Sequence, residues 1–204
     1  MGPAILPDFL GAPGDPPSKR EVLRAALALF IRDGLCATGL RDIARESGYS
    51  GPVLYKFFPS KNALALHLFE RCYAVLVATV HTAIVPDRTF RENFRSLMRA
   101  CGDLLARHPA TFLYVNEHIR LLWPQVSPAT KRVPLVRLFG DFLTQGVHEG
   151  ALGHADEVPY LVTILLGTLG QYARLFYFGE FAGAPEIGLQ ELERILERLF
   201  RDTP

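Results

Sequence analysis

Basic side chains are concentrated in one short part of this 204-residue chain. Between Ser18 and Asn62 there are eight lysine and arginine residues and four acidic residues. The rest of the chain is close to neutral, so the formal net charge of the whole is only +1. A local excess of cations is the pattern that neutralises a polyanion such as nucleic acid, and a solvated helix face has the same composition. Composition leaves both interpretations open.

Other reactive residue types are present, but without the spacing that their chemistry needs. His67, Cys72 and His81 share one stretch, yet their separations do not bring them onto one helix face. A second, weaker candidate for a metal site lies around a glycine-containing turn, at His148, His154 and Asp156. The chain also lacks a nucleophile elbow, a phosphate-binding glycine loop and a paired-acid motif. We expect no metal site, no cofactor and no enzymatic activity.

The most informative segment is LRDIARESGYSGPVLYKFFPSKNAL, residues 40–64. Two short helices that cross at a steep angle need a small residue on the first helix and a turn residue that accepts a positive φ. Ala44 and Gly48 meet those needs, and Ser50 is in position to cap the next helix. Apolar contacts between the helices would come from Ile43, Tyr49 and Leu54. The segment predicts a helix-turn-helix whose second helix enters the major groove of DNA.

The sequence around this segment resembles the TetR family of transcriptional regulators. The resemblance rests on an AALALF first helix, Gly34, DIARESGYS, LYKFF and SK, and it covers Ser18 to about Glu70. It implies that the chain binds double-stranded operator DNA. The expected DNA contacts are Arg41, Ser50, Gly51, Pro52, Val53, Tyr55, Lys56 and Lys61. Among these, Lys61 at the start of a new helix would bind a backbone phosphate.

Two features depart from the family pattern. Gly39 stands where a capping serine or threonine is usual, so Thr38 or water would have to cap the following helix.

The second departure is at the tip of the recognition helix, where Gly51 and Pro52 leave few side chains to read bases. Val53 could contact a thymine methyl group, and Lys56 a base or a phosphate. We therefore expect part of the specificity to come from DNA shape, from Arg41 and from an arm formed by Lys19 and Arg20.

Helix signals follow one another along the chain, and no strand pattern occurs. Residues 1–17 are rich in proline and glycine and are expected to form a flexible leader, although their few apolar residues could dock on the body. Ser18 and Glu21 have the spacing of a capping box for the first helix. The expected fold is all-α, with a three-helix helix-turn-helix DNA-binding domain at 18–62. A larger helical effector-binding and dimerisation domain would occupy residues 63–204.

The last two long helices are expected to form the dimer interface. Each carries an apolar stripe, and two such helices from each of two subunits would form a four-helix contact. The expected interface residues are Leu165, Leu169, Leu192, Ile195, Leu196 and Leu199. Packing of the same stripes inside one subunit is the alternative.

An effector pocket is expected in the helical body, as the resemblance implies. Aromatic residues exceed what a small core needs, and polar residues interrupt the apolar helix at 110–122. The expected ligand-binding residues are Phe94, Phe112, Asn116, Glu117, His118, Arg120, Trp123, Phe142, Tyr172 and Phe176. Each of them could instead belong to the core.

These features predict a ligand-responsive repressor that binds palindromic operator DNA as a homodimer and is released by a mainly hydrophobic small molecule. A helical metal sensor, an activator with the same DNA-binding head and a protein-interaction module are the alternatives. The three unpatterned cysteines and the absence of a signal-peptide pattern favour a cytoplasmic location. The apolar run at 72–85 is too short to span a bilayer, so no membrane association is expected.

Overall fold

The computed structural model describes residues 10–12 and 14–201, which are mostly helical and contain no β-strand. The helices are α1 (Pro17–Arg32), α2 (Leu40–Ser47), α3 (Gly51–Phe57), α4 (Lys61–Ala83), α5 (Phe90–Arg107), α6 (Pro109–Leu122), α7 (Pro128–Lys131), α8 (Leu135–His148), α9 (Val158–Tyr177) and α10 (Pro185–Arg201). Short 3₁₀ turns occur at Trp123–Gln125 and Ala155–Glu157. The all-α fold expected from the sequence is confirmed.

The chain divides into two compact units. Unit 1 contains residues up to Val75 together with Ala110–Ser127, and unit 2 contains Leu76–Pro109 and the chain from Pro128 onward. The boundary expected between residues 62 and 63 differs from the observed division, which crosses helix α4 after Val75. Almost all of α6, which the sequence assigns to the effector domain, belongs to the same compact unit as the helix-turn-helix.

Unit 1 is built around the apolar face of α1. Val22, Ala26 and Phe30 are fully buried there, as helical spacing predicts. Phe30 stacks on Tyr114 of α6 with ring centroids 6.1 Å apart, and the Tyr114 hydroxyl donates a hydrogen bond to the carbonyl of Ala65 in α4 at 3.1 Å. These contacts join the head to α6 within one unit.

The predicted capping box at the start of α1 is not formed. The helix begins at Pro17 with Pro16 in the N-cap position and no side-chain cap, so Ser18 lies within the first turn. Glu21 instead accepts a hydrogen bond from Arg24 at 2.6 Å. Proline explains the shift, because its fixed φ suits the first helical position and its missing N–H needs no partner there.

The described part of the leader packs against unit 1. Leu10 is only 3% exposed, and Arg71 of α4 donates a hydrogen bond to the carbonyl of Gly11 at 3.1 Å. A turn follows, in which Asp15 accepts hydrogen bonds from the Ala12 amide and from Lys19. Residues 1–9 lie outside the described part of the chain, so the flexible leader stays a prediction for them.

Unit 2 is organised around α5. Helix α10 lies along α5 so closely that a β-carbon on Gly102 would lie 3.0 Å from Cα of Glu186. Helix α8 packs on both α5 and α9. Phe90 of α5 stacks on Phe142 of α8 with ring centroids 4.8 Å apart. Where α8 approaches α5, Gly146 has no room for a side chain beside Phe90.

Helix α4 is long and apolar enough to cross a membrane by length and composition alone. Its apolar residues form part of a protein core instead. The fully buried ones inside unit 1 include Leu64, Leu68, Phe69 and Cys72. A core helix meets the same length and composition test as a membrane span.

Candidate nucleic-acid interface

A tight turn at Gly48 sets the angle between α2 and α3. Gly48 has a φ of +73°, which is the left-handed region that glycine occupies without steric cost. Its N–H donates to the Arg45 carbonyl at 3.3 Å, and the Tyr49 N–H donates to the Ala44 carbonyl at 3.1 Å. Ile43 and Leu54, two of the residues expected to supply apolar contacts between the helices, are fully buried. Residues close in sequence on both sides of the turn therefore fix the angle between α2 and α3.

One face of α3 is open to solvent. Pro52, Tyr55 and Lys56 are exposed on it at helical spacing, and Tyr55 is 59% exposed although an aromatic residue could have joined the core. Gly51 and Val53 are half-buried at its edge. Ser50 occupies the N-cap position, but its hydroxyl makes no cap hydrogen bond. The exposed face therefore offers an aromatic ring, a proline and one cation.

Asp42 caps the start of α2, a role that the sequence reading assigned to Thr38 or water. The Asp42 carboxylate accepts a hydrogen bond from the Gly39 N–H at 2.9 Å and another from Arg45 at 3.0 Å. The Thr38 hydroxyl is buried and donates instead to the Gly34 carbonyl at 2.9 Å. The sequence signal for this cap is an acidic residue three positions after Gly39. Arg41, next to this cap, is exposed.

Two lysines of the basic segment have partners within the protein. Lys61 donates to the backbone carbonyls of Leu35 and Thr38 at 2.9 Å and of Cys36 at 3.4 Å. Lys19 pairs with Asp15 at 2.9 Å and lies 5.9 Å from the centre of the Phe58 ring. The expected Lys19–Arg20 arm is therefore reduced to Arg20, which is exposed.

Comparison with known proteins identifies the helix-turn-helix. Residues 22–68 match the family model described as bacterial regulatory proteins, tetR family. The repressor KstR2 of Mycobacterium tuberculosis is 28% identical over 179 residues, which are 86% of this chain and 90% of that protein. The activator FasR of Mycolicibacterium smegmatis is 31% identical over 111 residues, which are 54% of this chain and 51% of that protein.

Residues 22–68 of this chain form a DNA-binding domain of the TetR family. The chain is accordingly a DNA-binding transcriptional regulator.

Solved structures of bacterial transcriptional regulators share the fold of this chain. The ketosteroid regulator KstR2 of Mycobacterium tuberculosis superposes with a TM-score of 0.76 at 24% identity, over 91% of this chain and 96% of that one. The regulator FadR of Bacillus subtilis, solved in complex with stearoyl-CoA, has a TM-score of 0.65 at 14% identity, over 91% of this chain and 99% of that one.

The ten expected ligand-binding residues fall in different units of the regulator. Unit 1 holds Phe112, Asn116, Glu117, His118, Arg120 and Trp123, whereas unit 2 holds Phe94, Phe142, Tyr172 and Phe176. Asn116, Glu117 and Arg120 are exposed, so the polar interruptions of α6 lie on its solvent face. His118 is the exception, since it is buried and its Nδ1 lies 2.9 Å from the Tyr114 carbonyl.

The remaining aromatic residues of that set are mainly core. Phe94 is fully buried, Phe142 and Tyr172 nearly so, and the Tyr172 hydroxyl donates to the Pro185 carbonyl at 3.3 Å. Trp123 packs against Tyr73 with ring centroids 5.0 Å apart. Phe112 and Phe176 are half-buried.

Half of the expected dimer residues are buried inside the subunit. Leu165, Leu169 and Leu196 are at most 5% exposed, and Leu192 is half-buried. Only Ile195 and Leu199 of that set are open to solvent. These three leucines therefore face the core of the subunit and not its exposed surface. The exposed apolar residues of α9 and α10 are Tyr160, Ile164, Ile187, Ile195 and Leu199.

Within the described residues no group of three or more histidine, cysteine or carboxylate side chains could hold a metal ion. Cys72 and Cys101 are buried in apolar surroundings, which raises the pKa of each thiol to about 12. Cys36 is exposed.

Proposed function

We propose that this protein is a ligand-responsive repressor that binds palindromic operator DNA as a homodimer. The observation that carries the proposal is the exposed face of α3, with Pro52, Tyr55 and Lys56 on a helix held by the Gly48 turn. A rigid turn presents these side chains at a constant angle to the major groove. The repressor name of a relative aligned along most of both chains supports this direction of regulation.

The proposed contacts divide by chemistry. Lys56 and Arg41 are exposed cations and would neutralise phosphates, which supplies affinity without sequence information. Tyr55 would donate its hydroxyl to a phosphate, and Ser50 and Gly51 would approach the backbone at the helix N-terminus. Val53 and Pro52 are the apolar residues near the tip, suited to a thymine methyl group. A surface with so few base-reading groups relies on DNA shape for part of its specificity.

The experiment is salt-dependent binding to a DNA fragment from the protein's own promoter region, followed by fluorescence anisotropy. Lys56→Met should lower the salt slope by about 0.9, the value for one lost phosphate contact. Lys131→Met removes an exposed lysine outside unit 1 and is the matched control, with an unchanged slope expected. If the wild type shows no preference for the fragment over unrelated DNA, operator recognition is refuted.

A dimer would form through the exposed faces of α9 and α10, with Ile164 and Ile195 near its centre. A two-fold axis lets the same surface serve both subunits, and it places two recognition helices on two half-sites. The half-sites would be about 34–36 Å apart, one turn of DNA.

The proposed effector is mainly hydrophobic, such as an acyl or polycyclic compound. The interior of unit 2 is rich in aromatic residues, including Phe94 and Phe142. One structural neighbour is named a ketosteroid regulator, and another was solved with stearoyl-CoA. By binding one conformation of the dimer preferentially, such a ligand would favour a spacing of the heads that does not fit the operator. A regulator that binds operator DNA would act in the cytoplasm.

Activation is the second candidate, since the relative FasR carries that name. Footprinting on the promoter distinguishes the two. A protected site overlapping the polymerase-binding region supports repression, and a protected site upstream of it supports activation.

A further inference from the structure

Lys61 makes a complete set of hydrogen bonds to one loop. It is the first residue of α4, and its ammonium group donates to three carbonyls of the α1–α2 loop, those of Leu35, Cys36 and Thr38. An ammonium group has three N–H donors and no acceptor. With three carbonyls within reach, no donor is left for a phosphate unless a bond to the loop is broken.

The same loop determines where α2 begins. Gly34, at a φ of +87°, reverses the chain after α1, and its carbonyl accepts bonds from both the amide and the hydroxyl of Thr38. Gly39 follows as the N-cap of α2. The loop is therefore held by Thr38 from inside and by Lys61 from α4. Its carbonyls carry partial negative charge, which the ammonium group stabilises.

We propose that Lys61 is a positioning residue that fastens the α1–α2 loop, and through it α2 and the recognition helix α3, to the start of α4. Lys61 affects DNA affinity by keeping α2 and α3 in their position relative to α4, and it does not bind a phosphate. This inference rests on the proposed DNA-binding function. It replaces the phosphate contact expected for Lys61 from the sequence.

The test compares the salt dependence of operator binding for Lys61→Met with that for Lys56→Met. For Lys61→Met we expect the dissociation constant to rise about tenfold at every salt concentration, the scale of one lost charge-assisted hydrogen bond. The slope should equal that of the wild type. For Lys56→Met the slope should fall. A decrease of about 0.9 in the slope for Lys61→Met would overturn the proposal.

Thermal stability and hydrogen exchange, both measured without DNA, distinguish the two roles of Lys61, because loss of a phosphate contact would change neither. Without DNA, Lys61→Met should lower the melting temperature by about 5 °C and speed exchange of the amides at 34–39. Thr38→Val should weaken the same loop, so the double variant should lose less than the sum of the single losses. The proposed role of Lys61 would be contradicted if Lys61→Met left the melting temperature and the exchange rates unchanged. It would also be contradicted if the losses of the two single variants simply added in the double variant. Failure of the wild type to bind DNA would refute the proposed function and leave these DNA-free measurements valid.

Discussion

His67 is a half-buried imidazole among four charged side chains. Its ring lies 5.3 Å from that of Phe58, centroid to centroid. Burial lowers its pKa first, and the positive charges of Lys19 and Arg71 lower it further, whereas Asp15 and Glu70 act in the opposite direction. The folded protein therefore favours the neutral imidazole more than the unfolded chain does.

This depressed pKa predicts a pH-dependent stability. A histidine whose pKa is lower in the folded state stabilises the fold above its unfolded pKa of about 6.5, and that contribution is lost as the pH falls. We expect the wild type to lose more free energy of unfolding between about pH 7.5 and pH 5 than His67→Gln. Urea titrations across this range measure the difference. Parallel pH profiles for the two proteins would contradict the assignment.

The leader end at residues 10–16 acts as an element of unit 1. Its described residues, 10–12 and 14–16, have no regular secondary structure after Leu10, yet this segment buries the Leu10 side chain and accepts a hydrogen bond from Arg71. It also brings Asp15 to Lys19, whose ammonium group lies over Phe58 at the end of α3. The leader therefore contacts side chains of α1 and α4 directly and reaches α3 through Lys19.

Shortening the buried side chain of the leader should destabilise the DNA-binding unit. Leu10→Ala is expected to lower the free energy of unfolding by about 2 kcal/mol, because it removes buried apolar surface and leaves a cavity. Leu121→Ala is the control, since Leu121 is 51% exposed in the same unit and its loss should stay within about 0.5 kcal/mol. Denaturant titration measures both. Equal effects for the two variants would show that the leader does not contribute.

At the scale of the whole molecule, the proposed dimer depends on which side of α9 and α10 faces outward. Ile164 is 44% exposed and Ile195 is 38% exposed, whereas Leu196 is 3% exposed. A charge at Leu196 would disrupt the subunit core, so it cannot test the interface.

Glutamate at the exposed positions tests the dimer without disturbing the core. Ile164→Glu combined with Ile195→Glu should yield folded monomers with weakened operator binding, because four charges would be buried in a two-fold contact. Val136→Glu, on α8 at a residue that is 62% exposed, should remain dimeric. Sedimentation at micromolar concentration distinguishes the outcomes. A double variant that stays dimeric places the interface elsewhere.

Release by an effector is also a property of the whole molecule, because linkage makes the coupling reciprocal. If a hydrophobic ligand weakens operator binding by some factor, the operator must weaken binding of that ligand by the same factor. Calorimetric titration of a candidate acyl or steroid ligand, with and without saturating operator, measures this. Equal ligand affinities in the two titrations would exclude the mechanism.

Much of the local structure was predictable because its causes are local. Helix α2 ends at Ser47, directly before the glycine that the sequence assigns to the turn, and Gly48 has the positive φ that this turn requires. Proline, glycine and apolar spacing act within a few residues, so the ends of nearly every helix can be read from them. The family motif lies in this same short segment.

Only the tertiary structure decided the features that join distant parts of the chain. The carbonyl partners of Lys61 lie 23 to 26 residues before it, and the Tyr114 hydroxyl bonds a residue 49 positions away. Helix α9 is apolar on several sides, so its pattern does not say whether Ile164 or Leu165 faces inward. Burial of one face is set by the helix that packs on it, and that contact has no signature in the local sequence.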